Sequence, residues 1–186
     1  VPGIYWLAVV MISIVGTLIT DNLVDNYGVA LETTTIIFTF ALVATFTAWY
    51  TSEKTLSIHS IYTTKRETFY WLTILFTFAL GTAAGDLTSE GLNVGYLKSA
   101  LMFATLIGIV TIAYYRFNLN SVAAFWMAYI LTRPLGASMG DYLSQPVDAG
   151  GLALNTMGIS AIFLVTILSL VIYLTKTKKD EKPIVE

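Results

Sequence analysis

The sequence predicts an all-α fold, a polytopic membrane helix bundle of six transmembrane helices arranged as three parallel two-helix repeats. Three observations predict it. The 186 residues are 56% hydrophobic and 12% charged, with a mean hydropathy of +0.73. Soluble domains carry about 25% charged and about 45–50% apolar residues, so both departures point to lipid as the solvent. The apolar residues gather into six stretches, each near the ~20 residues that cross a ~30 Å hydrocarbon core. One aromatic–Gly–Asp register then recurs three times along the chain.

The six stretches run Ile4–Val24, Leu31–Tyr50, Phe69–Thr88, Leu97–Phe117, Val122–Leu143 and Leu152–Thr175. None alternates with the two-residue period of a half-buried strand, and an open sheet edge is not tolerated in lipid, so helices are expected throughout. The whole chain, 1–186, reads as one membrane domain with repeats at 1–50, 69–117 and 122–175. A linker covers 51–68 and a tail 176–186. The chain opens Val1-Pro2 rather than with Met, which suggests a processed or truncated N-terminus. Ile4–Leu18 lacks the basic flank and cleavage site of a signal peptide.

Charge sorts the connecting segments. Lys54, Lys65, Arg66, Arg116, Lys176, Lys178, Lys179 and Lys182 fall on one side, whereas the other side holds Asp25, Glu32, Glu90 and Asp148 with Lys98 as its one basic residue. Eight basic residues against one predicts the cell (cytoplasmic) membrane with both termini cytoplasmic. Trp49-Tyr50 and Tyr114-Tyr115 close the second and fourth stretches at the same interface, where amphipathic rings settle. A net charge of −2 argues against nucleic acid, whose binding needs clustered Lys and Arg. There is no cysteine, so disulfides and thiol chemistry are excluded.

The repeats carry the most information. Trp6, Trp71 and Trp126 each follow an aromatic residue, Tyr5, Tyr70 and Phe125. Ten residues after each Trp comes Gly16, Gly81 or Gly136, and fifteen after it comes Asp21, Asp86 or Asp141. The three stretches read YW-x9-GTLITD, YW-x9-GTAAGD and FW-x9-GASMGD. Each unit holds two spans, so all three share one orientation and are parallel rather than inverted repeats.

This register, with the linker SIHSIYTTKRETFYW and the stretch FWMAYILTRPLGASMGDYLSQPVDAGGLAL, resembles a family of uncharacterised bacterial membrane proteins built from tandem "repeat of unknown function" units. The resemblance covers essentially the whole chain. It implies a four-repeat, eight-helix arrangement of which three repeats are present here, with the first repeat the missing one. It implies no assigned activity.

At ~1.5 Å per residue, the fifteen steps from Trp to Asp cover about 22 Å, so each Asp is expected inside the outer edge of the hydrocarbon. An ionisable residue there is costly and marks a site or a pair. Near a helix C-terminus a carboxylate also meets the negative end of the dipole and needs a cation, a proton or an Arg. Capping the outer turn or pairing with a fixed base is the alternative role. Gly81-x3-Gly85 and Gly136-x3-Gly140, with the weaker Gly16-x3-Thr20, read as small-residue faces for close helix contact. The three Trp read as interface anchors or packing residues. Arg133 lies seven residues after Trp126, about 10 Å along the helix and near mid-membrane, followed by Pro134, which removes a backbone donor. Its equivalents are Ser13 and Phe78. A structural ion pair with an Asp of another repeat and an anion-binding or gating charge are both open for it.

His59 alone makes a poor metal site, and any metal is left unknown. Lys65 and Arg66 are placed to meet anionic lipid. No catalytic fingerprint is present, so the expectation is no enzyme and no cofactor. The site residues Asp21, Asp86, Asp141 and Arg133 favour a small-solute or cation transporter or channel working on a monovalent or divalent cation or a proton. The alternative is a non-transporting scaffold, assembly partner or sensor. The expected partner is the lipid bilayer, with oligomerisation open. Convergence of the Asp residues on one polar cavity is the discriminating observation.

Overall fold

In a computed structural model, which describes residues 2–177, the chain folds into six long helices. They are α1 (Pro2–Asp21), α2 (Leu31–Glu53), α3 (Thr64–Asp86), α4 (Tyr96–Phe117), α5 (Ser121–Ser144) and α6 (Thr156–Thr177). The expected tail residues Lys178, Lys179 and Lys182 lie outside the described residues. Among the described residues there is no strand.

Helix ends follow local chemistry. The Thr63 side chain accepts from the Arg66 N–H at the start of α3, and Asn120 Oδ1 accepts from Val122 and Ala123 N–H at the start of α5. Each satisfies donors that the first turn leaves without partners. The backbone turns left-handed at Lys54 and Asn118, which end α2 and α4. In the first two repeats the helix does not stop at its Asp. A five-residue π-helical turn follows directly, Asn22–Asn26 after Asp21 and Leu87–Gly91 after Asp86. The third repeat carries Pro146 at the offset of Asn26 and Gly91, and α5 ends at Ser144 in place of a wide turn.

Five segments are long and apolar enough to cross a membrane: Gly3–Asn26, Leu31–Glu53, Thr64–Gly91, Tyr96–Phe117 and Thr156–Thr177. The sixth expected span, α5, has the length, with 24 residues, but falls short in hydropathy. It carries Arg133 and Asp141 and packs against both α3 and α4, which shield much of it. Boundaries also shift. The third helix begins at Thr64, inside the segment expected as linker, and the sixth begins at Thr156 rather than Leu152.

Packing repeats with the sequence. Each odd helix lies against the next odd one, α1 on α3 and α3 on α5. Each even helix lies against the odd helix that follows it, α2 on α3 and α4 on α5. The α6 helix has no such successor among the described residues. It touches α1 and α5 lightly, and none of its residues is buried.

One end of the bundle is aromatic. Trp49, Tyr70, Ile74 and Trp126 form a buried cluster, with Trp49 and Trp126 edge to face at 5.8 Å. Such pairs add about 0.5–1.5 kcal/mol beyond area burial. Trp126 Nε1 donates to the Leu56 carbonyl at 2.9 Å, tying the linker onto the third repeat. Of the two roles expected for the repeated Trp, anchoring and packing, Trp126 takes the second, as a core residue only 4% exposed. The linker is closed further by Glu53, whose carboxylate accepts from Arg66 Nε at 2.7 Å and faces Lys65 Nζ at 3.6 Å. Those two bases, expected on lipid, share Glu53.

Candidate functional site

The shared spacing from Trp to Asp places three carboxylates at the same height on α1, α3 and α5, at the end opposite the aromatic cluster. The helices then converge. Asp21, Asp86 and Asp141 all line one cavity of about 430 Å³. Its wall includes Thr17 of α1, Thr82 of α3, Gly136, Ala137, Gly140 and Ser144 of α5, and Thr156, Ile159, Ser160 and Phe163 of α6. The four α6 residues follow an i, i+3, i+4, i+7 spacing, so one face of that helix closes the cavity.

The polar lining is rich in acceptors. Thr82 Oγ1 lies 3.3 Å from the Phe78 carbonyl and Ser144 Oγ 2.9 Å from the Gly140 carbonyl, each donating to its own helix. A hydroxyl whose proton is spent on the backbone keeps oxygen lone pairs as acceptors. Thr17 and Thr82, both eleven residues after their Trp, touch through their hydroxyls at 3.2 Å. The third equivalent is Ala137. The lining contains no basic side chain. Among the described residues, no group of three or more His, Cys, Asp and Glu side chains could hold a bare metal ion. The three carboxylates thus share a volume rather than one coordination sphere.

The glycines divide. A Cβ at Gly16 would sit 2.7 Å from Phe78 Cβ, and one at Gly81 would overlap Arg133 Cβ. At Gly85 it would lie 3.1 Å from Ala137 Cβ. These three let α1, α3 and α5 approach closely, as small-residue faces do. Gly136 and Gly140, expected at a helix contact, have nothing within 4 Å of such a Cβ and line the cavity instead. The reason is positional, since no odd helix follows α5 among the described residues to press on them. Thr20 at the fourth place of the weak first motif donates to the Ala79 carbonyl at 2.9 Å, so a hydroxyl there joins α1 to α3.

Arg133 does not join the carboxylates. Its guanidinium carbon lies 3.9 Å from the centroid of Phe78 and 4.2 Å from that of Tyr129. Among the described residues the ion pairs are those of Glu53, and neither involves Arg133. Its Nε is buried without a hydrogen-bond partner. Of the two roles open for Arg133, the ion pair with an Asp of another repeat is not formed, and cation–π contacts, worth about 2 kcal/mol or more when desolvated, stand in its place. Pro134 is buried inside α5, which continues as an α-helix through it. His59 is exposed in a short 3-10 turn, and Glu90 accepts from the Tyr96 hydroxyl at 2.8 Å.

The hydroxyl residues Thr17, Thr82, Ser144 and Ser160 were not singled out by sequence reasoning. The first two had a signal, because Thr follows Gly in both GTLITD and GTAAGD. The α6 residues had none beyond their spacing.

A three-repeat helical membrane bundle with an acidic cavity at one end is the class this architecture defines. The model of the family described as Repeat of Unknown Function (DUF347) matches residues 4–55, 69–120 and 124–180, one match per repeat. The chain belongs to that family. No curated protein and no solved structure matches it.

Proposed function

We propose that this membrane protein binds a cation in the acidic cavity and passes it across the bilayer, as a cation transporter or channel. One observation carries the proposal: carboxylates from three separate repeats line a single hydroxyl-rich cavity that has no basic side chain in its wall. Three like charges in one confined volume call for cations or protons to balance them. A wall of carboxylates and hydroxyl acceptors can hold a hard cation through its water shell, which Mg²⁺ in particular gives up reluctantly.

The polarity of transport follows from charge. The aromatic end, with Lys54, Lys65, Arg66 and Arg116, faces the cytoplasm in this proposal, and the acidic cavity opens outward. The chain lacks cysteine. Ser57→Cys should thus be shielded from, and Asp148→Cys open to, an impermeant external maleimide. External labelling at position 57 alone reverses the orientation.

The test of function is flux. The full chain is reconstituted in liposomes and followed with proton-, Na⁺- and Mg²⁺-sensitive dyes. Flux of one of these cations, lost on Asp86→Asn and Asp141→Asn while the folded population persists, is the expected result. Equal flux for both variants in well-folded protein rejects these carboxylates as the pathway.

A further inference from the structure

A second cavity lies at the aromatic end, outside the acidic site. It has a volume of about 580 Å³ and runs between α2, α5 and the linker. On α2, Phe46 and Tyr50 lie four residues apart on one helix face, and Lys54, where the backbone turns left-handed just past the helix end, closes the same groove. Met127 and Ile130 of α5 make the opposite apolar wall, with the buried Trp126 at its back. The seven steps from Phe46 to Glu53 at the helix end cover about 10 Å along the axis. The groove is therefore apolar inside and charged at one mouth.

The charge at the mouth is unspent. Lys65 and Arg66 are both engaged by Glu53, whereas Lys54 is exposed and joins neither of the ion pairs found among the described residues. Thr55 and Asn120 also line the groove. Asn120 Oδ1 is occupied by the Val122 and Ala123 N–H groups, at 2.9 and 3.2 Å, which leaves the amide nitrogen of Asn120 as a donor. A lysine ammonium and an amide N–H at one end of an apolar channel match an anionic head on a hydrocarbon tail.

We propose that this groove binds one anionic phospholipid, its phosphate on Lys54 and Asn120 and an acyl chain along Phe46, Met127 and Ile130. A free anion would leave the apolar walls uncovered, and a zwitterionic lipid would leave Lys54 without net compensation. The mouth lies where the apolar span of α2 ends, at Glu53, so a lipid reaches the groove from the bilayer without leaving its own leaflet. The site is independent of the acidic cavity, which shares none of its residues.

Native mass spectrometry of the delipidated full chain tests this, with an equimolar mixture of dioleoyl phosphatidylglycerol and dioleoyl phosphatidylcholine. One phosphatidylglycerol should be retained in preference. Lys54→Gln should cut that preference by about fivefold, the share one basic residue near an anionic lipid accounts for. Ala123→Trp, which fills the groove from its α5 wall, should lower retention of both lipids. Lys98→Gln, on a base at the other end of the bundle, should change nothing. The melting temperature of each variant separates lost lipid from lost fold, and Lys54→Gln alters only an exposed side chain. Equal retention of the two lipids, or an undiminished preference in a folded Lys54→Gln variant, overturns the proposal. So does a dimer that Ala123→Trp abolishes, which would make a second copy the occupant.

Discussion

Gly81 and Gly136 occupy the same place in successive repeats, ten residues after Trp71 and Trp126, yet they do opposite things. Gly81 is pressed by the backbone and Cβ of Arg133, whereas Gly136 meets nothing and opens onto the acidic cavity. The difference does not lie in the residue or its helix. It lies in what comes next, since α3 has α5 to receive and α5 has no odd helix after it among the described residues. A small residue licenses close approach, and only a neighbour turns that licence into a contact. Where the neighbour is absent, the same glycine becomes cavity wall.

The comparison breaks if the two sites respond alike to bulk. Gly81→Leu should cause the largest loss, since α3 and α5 must part to admit the side chain. Overpacking of this kind costs on the order of 1–3 kcal/mol or more, read as a lower melting temperature in detergent. Gly136→Leu should leave stability within about 0.5 kcal/mol, because it grows into open space, while shrinking the cavity. Equal destabilisation by both would mean that Gly136 also sits in a contact.

The Trp+7 partners sharpen the same contrast at smaller amplitude. Arg133 rests on Phe78, its own equivalent in the preceding repeat, and strands no carboxylate when removed. Arg133→Met should therefore lower stability by about 2 kcal/mol, the scale of a desolvated cation–π contact, short of the roughly 3–5 kcal/mol that a broken buried ion pair costs. Adding Asp141→Asn should bring no rescue. A rescue would show that the two residues form a pair after all. Smallest is the hydroxyl contact of Thr17 with Thr82, 3.2 Å apart. A double-mutant cycle with Val at both positions should give about 0.6 kcal/mol of coupling, the usual size inside membrane bundles.

How much of this was legible in the sequence follows from the same contrast. Residue identity at fixed spacing revealed the helices, the repeats and the three Asp, because each depends on its own segment. The convergence of those Asp residues is not legible in any one segment, since it depends on how α1, α3 and α5 cross. Tyr129, four residues before Arg133, was within reach of helical spacing, but Phe78 required knowing that α3 packs on α5. The face of α6 that meets the cavity was hidden for a further reason. That helix is apolar nearly all round, so no polar stripe pointed to Ser160 over its neighbours. Lys65 and Arg66 looked available to lipid because Glu53 sits on the far side of a turn that only the fold closes.

The central claim is that Asp21, Asp86 and Asp141 share one cavity that holds a cation. The cysteine-free chain allows a direct test that does not depend on flux. Ser160→Cys places a single thiol in the cavity wall, and its reaction rate with a small water-soluble maleimide is measured with and without Na⁺ or Mg²⁺ at constant ionic strength. The account predicts that the thiol reacts, that one of these cations slows the reaction, and that Asp86→Asn abolishes the slowing. A rate indifferent to both cations, or slowed equally in the Asp86→Asn background, would contradict it.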